Sequence, residues 1–311
     1  MGNLVQGDAS PAAVMAVEEL ALVDPQSALV QAEELVGAPG VDVANQARLY
    51  LVMAHVSVNI LRRTSVEAVF WGHEAVRLAS AMPDLDGCRL LFDARVALGR
   101  AAIQIGDWAR ASDALQDALD MELPWLGREA VEWEVMMDLA RAQYGRGEYM
   151  NALSIVDGAA TFLPLICPGR VQLGLWRARC LLKVRDADEA AESLERFRGS
   201  EWRLPPRIQA ELGALIAMLA SLRGDHALAA PEAEAAFRLA KRLEDRSTQA
   251  QARLVLALSA AEARQFHRAT ELANSAMRLG FTAGSVLLMQ ELAFLMGHLY
   301  PQAPLVLPVF D

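Results

Sequence analysis

A repeat constrains this chain more than any other feature of its 311 residues. The segment GDWARASDAL beginning at Gly106 is echoed by GEYMNALSIV at Gly147, RDADEAAESL at Arg185, GDHALAAPEA at Gly224 and RQFHRATELA at Arg264. The equivalent alanines, Ala111, Ala152, Ala190, Ala229 and Ala269, are separated by 41, 38, 39 and 40 residues. A fixed period of this length is the mark of a stacked array in which one supersecondary unit recurs.

Each unit carries further small residues in register. Twelve positions before the alanine stand Gly99, Ala140, Ala178, Ala217 and Ala257, and seven after it stand Ala118, Ala159, Phe197, Ala236 and Ala276. Two helices joined by a tight turn approach closely only where facing positions are small, so these columns mark helix crossings. Gly106, Gly147 and Gly224 suit left-handed helix C-caps, and Pro124, Pro164 and Pro205 end a second helix or open the next connection. Strand-forming runs bounded by turn signals are scarce, which leaves an all-α chain.

These segments resemble the tetratricopeptide repeat family, with a small eighth residue, alanine at the twentieth and twenty-seventh, and a proline near the end. Ala140, Tyr149, Ala152, Ala159 and Pro164 match best. The spacing near 40 is longer than the usual 34 and resembles the helical-repeat regions of bacterial signalling and transcription regulators. The resemblance implies a right-handed α-solenoid of stacked helical hairpins forming a single elongated domain. Two weaker copies precede the five: one with Ala68 and Ala75, another in which Ala28 follows Ala16 by twelve. The expected organisation is a flexible N-terminus over 1–9, about seven hairpins over 10–280, a capping helix over 281–299 that covers the last apolar face, and a Pro-rich extended tail over 300–311.

The chemistry-bearing residues do not form a catalytic pattern. Lys183 and Lys241 are mid-helix and not glycine-preceded, so no phosphate loop exists, and His73-Glu74 lacks the second histidine of a zinc-protease helix. No G-x-S-x-G is present. His55, His73, His226, His267 and His298 are scattered. Cys88, Cys167 and Cys180 are odd in number and unpaired in sequence, which argues against a disulfide framework and a zinc module and suits a reducing cytoplasm. We therefore expect no enzyme, no metal and no cofactor. Among the tryptophans, Trp108 shares the turn column with Tyr149 and Phe266, which makes it structural, whereas Trp176 falls on the first helix of its repeat near the core column, where partial exposure is expected; Trp71, Trp125, Trp133 and Trp202 complete the set.

Acidic residues exceed basic ones by 39 to 29, so the chain lacks the electrostatic footprint of a nucleic-acid binder. The start MGNLVQGDASP has no basic stretch followed by an apolar core, and the longest apolar run, near Leu212 to Leu222, is too short for a bilayer. Direct nucleic-acid and membrane partners are not expected, and the localisation that follows is cytoplasmic.

In tetratricopeptide proteins the first helices of successive repeats line a concave groove, and their second, fifth, ninth, twelfth and thirteenth positions face it. Transferring that frame puts Arg100, Arg141 and Arg179 at the ninth position, with Gln104, Tyr144 and Lys183 beside them. Guanidinium forks at such spacing suit the carboxylates of an acidic or C-terminal peptide. Alternatively these arginines pair with Asp93, Glu134 and Asp138 on the same surface, Asp138 and Arg141 being three apart on one helix. Further along, Ala214, Met218, Leu254, Leu258 and Ala261 make the groove apolar, and an apolar stretch calls for a cover. The tail over 300–311 is one candidate, docking in its own chain or a neighbour's and so giving self-association. The function this implies is a protein- or peptide-binding scaffold, or else the sensing arm of a regulator whose effector module lies elsewhere.

Overall fold

Aspartate side chains open many of the helices. Those of Asp24, Asp42, Asp84, Asp107, Asp225 and Asp245 each accept the backbone N–H three residues on, from Ser27, Asn45, Gly87, Arg110, Leu228 and Thr248, at 2.7 to 3.3 Å. Each supplies an acceptor to a first-turn donor that has no partner within its own helix. The turn glycine completes the punctuation: Gly106 ends one helix at φ +79° and Asp107 starts the next. Arg264 occupies the same turn column in the left-handed region at φ 58°, where most copies use glycine.

The structure, a computed structural model, describes residues 10–60, 66–122, 128–164, 167–184, 186–198 and 204–299. The side chains of residues 59, 60, 128–131, 198, 294, 298 and 299 lie outside the description, as do the expected N-terminus over 1–9, the tail over 300–311, Pro124, Trp125, Arg185 and Trp202. Among the described residues there are helices and connections but no strand.

The contacts divide the chain into two compact units, Met1–Arg146 and Gly147–Asp311. In the first lie α1 (Pro11–Val23), α2 (Pro25–Val36), α3 (Val43–His55) with a π-helical turn at Val56–Ile60, α4 (Val66–Ala79), α5 (Leu85–Ile105), α6 (Trp108–Leu119) and α7 (Arg128–Gly145). In the second lie α8 (Tyr149–Ala160), α9 (Pro168–Lys183), α10 (Ala187–Arg198), α11 (Pro206–Leu222), α12 (His226–Arg242), α13 (Arg246–Glu262), α14 (Phe266–Ala283) and α15 (Val286–Leu299). Within each unit consecutive helices pack as hairpins. The odd-numbered helices also touch the next odd helix, α1 on α3, α3 on α5 and α5 on α7 in the first unit, and α9 on α11, α11 on α13 and α13 on α15 in the second. They form an inner layer, and the even helices lie outside it. This is a tetratricopeptide-like helical-repeat fold.

The small-residue columns are where the hairpins close. Ala111, Ala152, Ala190, Ala229 and Ala269 are fully buried, as are Ala178, Ala217 and Ala257. Gly99 faces Leu115, whose Cγ stands 2.5 Å from where a Cβ would be. Phe197, the one large member of its column, is accommodated by Gly174, whose added Cβ would meet the Phe197 ring at 2.2 Å. Trp108 packs against Gly145 in the same way, 2.4 Å from a Cβ placed there, which accounts for its structural role.

Candidate functional site

Because the inner layer carries the groove positions, the odd helices decide what a partner can meet. In the first unit, α5 presents Arg100 and α7 presents Arg141, and both engage Asp138. Arg100 Nε donates to Asp138 Oδ2 at 2.6 Å, and Arg141 Nη1 donates to Oδ1 at 2.7 Å. The Asp138 side chain is 6% exposed, so its charge is held between two guanidiniums. Glu134 lies 3.7 Å from Arg100. Gln104 is half-buried on the same helix, whereas Tyr144, expected to face a partner, is buried in the core. Burial, aided by the charge of Arg100, holds the His55 imidazole below its ordinary range, so the end of α3 approaches the same group.

In the second unit the arginine is not a rung open to a ligand. Arg179 on α9 is buried. Its Nη1 donates to both carboxylate oxygens of Glu291 on α15, at 2.8 and 2.9 Å, and its Nη2 donates to Glu211 on α11 at 2.8 Å. Gln251 on α13 adds a 2.7 Å bond from Nε2 to the same Glu291 carboxylate. The Trp176 ring, half-buried, stands 5.5 Å from the Arg179 guanidinium and contacts the network. Lys183 borders this network, 5.9 Å from the Tyr149 ring centroid. Burial lowers its ammonium pKa to about 8, with Glu291 pulling it up and Arg179 pushing it down.

The expected apolar half of the groove is corrected by the same helix. Leu254 and Leu258 are core residues, packed in one cluster with Leu288, Leu292, Leu295 and Met296 of α15, and Met218 is partly buried against them. The apolar stretch is covered by α15, because a terminal unit must hide the face that the next repeat would otherwise bury.

The second-position column accounts for two of the ion pairs. Counting six residues back from the small eighth position gives the second position, which holds Asp93, Glu134, Gln172, Glu211 and Gln251. Gly297 follows Ala257 by 40 residues, so Glu291 is the second position of a further, truncated repeat. Arg100 meets the second-position acid of the next repeat, Glu134, and Arg179 likewise meets Glu211. Asp93 and Glu134 were already legible as candidate partners; Glu291 was hidden by stopping the alignment at Gly280.

Asp93 does not share in this pairing. It lines a cavity of about 590 Å³ in the first unit with Met15 and Glu18 of α1, Arg48 and Leu51 of α3, and Asp86, Arg89 and Leu90 of α5. Its carboxyl faces the cavity, yet the walls around it exclude enough water to raise its pKa, against the pull of Arg89. Ser57, eleven residues upstream of Ala68 as Arg100 is of Ala111, stands where the pattern has arginine, and it is buried.

Among the described residues no grouping of His, Cys, Asp and Glu is suited to hold a metal ion, and no helix is long and apolar enough to cross a membrane. No protein-family model matches the sequence, and no curated protein is similar to it. Solved structures share the fold. A Rap protein complexed with competence and sporulation factor has 12% identity over 93% of this chain and 86% of that chain, at a TM-score of 0.58. The Rap conjugation gene regulator of plasmid pLS20, in complex with the Phr* peptide, has 12% identity over 92% and 85%, at 0.57. Aspartyl phosphate phosphatase F from Bacillus subtilis has 12% identity over 96% and 80%, also at 0.57.

Proposed function

We propose that this chain is a non-catalytic regulatory scaffold that binds a peptide on the inner helices of its first unit. The observation that carries this is the contrast between the units. The Arg179 group of the second unit is buried and tied to Glu211 and Glu291, while the first unit has half-buried arginines and an open cavity on its inner helices. The fold is shared with two proteins whose structures were solved with peptides, one of them named a gene regulator, which supports a regulatory role. The phosphatase activity in the name of the Bacillus subtilis protein is that protein's own.

Under this proposal Arg100 and Arg141 draw the peptide's carboxylates, acidic side chains or the C-terminus, with Asp138 holding the two forks at a fixed spacing. The test is selection of dodecapeptides from a random synthetic library on the immobilised full chain, followed by titration of the recovered sequences. Wild type should bind, and Arg100→Glu with Arg141→Glu should weaken binding of acidic sequences at least tenfold. Recovery of no sequence above background would overturn the proposal. Arg179 is left out of the charge reversal because its replacement breaks a buried network and confounds binding with folding.

The sensing-arm alternative differs in requiring an effector protein, and co-purification of one fixed partner whose binding changes with peptide would favour it. Self-association through the tail remains a separate proposal, tested by light scattering after deletion of residues 300–311: an unchanged mass excludes it.

A further inference from the structure

The first-unit cavity holds charges of both signs, and two of them, Glu18 and Arg48, do not find each other. Four carboxylates, Glu18, Asp84, Asp86 and Asp93, and two guanidiniums, Arg48 and Arg89, line it, an excess of two negative charges. Asp84 is engaged in capping α5 through the Gly87 N–H. Among the described residues, half-buried Glu18 and Arg48 have neither a hydrogen bond nor an ion pair, although they stand on adjacent inner helices. Elsewhere on this inner layer the opposite holds: Arg100, Arg141 and Arg179 are each tied to a carboxylate. A guanidinium and carboxylates held apart across one concave space keep their pairing capacity for a third body, which gains charge-assisted hydrogen bonds at both ends. The space is within the roughly 300–1,000 Å³ of ordinary ligand pockets, and Met15, Leu51, Met82 and Leu90 give it apolar walls.

We propose that this cavity binds a short peptide with both termini free, its carboxylate received by the Arg48 fork and its ammonium by Glu18 and Asp93. This goes beyond the peptide-binding proposal by engaging a different set of side chains from Arg100 and Arg141 on the first unit's helices, and it rests on that proposal. The lining's negative excess favours peptides carrying one additional basic side chain over those carrying an acidic one. Asp93 suits the ammonium because it is the second-position acid that the repeat leaves without an arginine, Ser57 standing in its place.

The experiment is affinity-selection mass spectrometry of the full chain with a random tetrapeptide library, in free, N-acetylated and C-amidated forms, followed by calorimetric titration of the recovered sequences. Free tetrapeptides should be retained, with basic sequences enriched, and blocking either terminus should weaken binding about tenfold or more. Asp93→Asn should remove the preference for a free ammonium, and Arg48→Gln the preference for a free carboxylate, with the helical spectrum unchanged. If Arg48→Gln does not fold, Arg48→Lys keeps the charge without the fork and should still weaken the free-carboxylate sequences. Binding indifferent to both substitutions, or to terminal blocking, overturns the assignment. If dodecapeptides bind but no tetrapeptide does, this cavity proposal falls while the scaffold proposal stands; if neither library yields a binder, both fall.

Discussion

Removing the Glu291 carboxylate tests how α15 is held. The side chains of Arg179 and Glu291 are 6% and 10% exposed, and one guanidinium nitrogen contacts both oxygens of the carboxylate. Breaking a buried pair by deleting one partner leaves a charge without compensation and costs about 3–5 kcal/mol. Here Glu211, with a side chain 30% exposed, keeps a 2.8 Å contact to Arg179, so the lower end applies, and Glu291→Ala should cost about 3 kcal/mol. For a unit of this size each kcal/mol moves Tm by about 2–4 °C, giving a drop of about 6–12 °C by calorimetry.

The double variant separates charge from packing. Arg179→Met with Glu291→Met removes both desolvated ions and fills the space with apolar side chains, an exchange that is often neutral or better. The Gln251 amide loses its acceptor, at about 1 kcal/mol. The double variant should therefore melt within about 4 °C of wild type and well above Glu291→Ala. A Glu291→Ala shift below about 3 °C, or a double variant as unstable as the single, would refute the buried-pair account.

Four other outcomes follow from the same structure. Lys183 has a folded pKa near 8, below its ordinary 10.5, so the unfolded chain binds more protons between those values and stability rises with pH across that window; melts from pH 7 to 10 should show wild type gaining on Lys183→Met, and parallel curves would count against it. Arg264 is in the left-handed region, a strain of about 1–2 kcal/mol that Arg264→Gly removes against an entropic cost of about 0.5–1, so urea unfolding should show a gain of about 0.5–1 kcal/mol. Gly145→Ala drives a methyl into the rigid Trp108 ring and should destabilise by about 1–3 kcal/mol, read from the same unfolding curves. Cys180 is fully buried with its thiol pushed up to about 12, so Ellman's reagent at pH 8 should modify half-buried Cys88 and Cys167 but reach Cys180 only on denaturation.

The fold was legible because close approach of helices is written in single residues at fixed spacing. Ala111, Ala152, Ala190, Ala229 and Ala269 are each at a crossing that admits no larger side chain, so their period reports the architecture directly. Even the exception obeyed a rule: Phe197 breaks its column, and Gly174 yields the space across from it. The inner surface was only half legible. The ninth-position arginines were found, yet spacing along one helix says nothing of the carboxylate that arrives from two helices or 112 residues away, and Arg179 is buried because Glu291 is that partner. Leu254 and Leu258 were misplaced for a related reason, since a groove position is exposed only until another helix lies on it.

The charges on the inner layer then sort by whether the repeat supplies their partner. Glu134 and Glu211 follow a hairpin whose ninth residue is arginine, and each is engaged. Glu291 follows a hairpin with Leu258 there, and it reaches across α13 and α11 to Arg179 instead. Asp93 follows a hairpin with Ser57 in that place, and the cavity is beside it. Stability needs every buried carboxylate matched, so a repeat that omits the arginine either borrows one, as Glu291 does, or leaves its acid facing open space. Asp93 takes the second course, and its carboxylate with Arg48 across the cavity is where the first unit retains unspent pairing capacity. Substituting Ser57 with arginine tests that gap: if Asp93 gains a partner, tetrapeptide binding should fall, with a loss of about 1–3 kcal/mol in stability because Ser57 is buried, whereas unchanged binding would show that Asp93 takes no part in it.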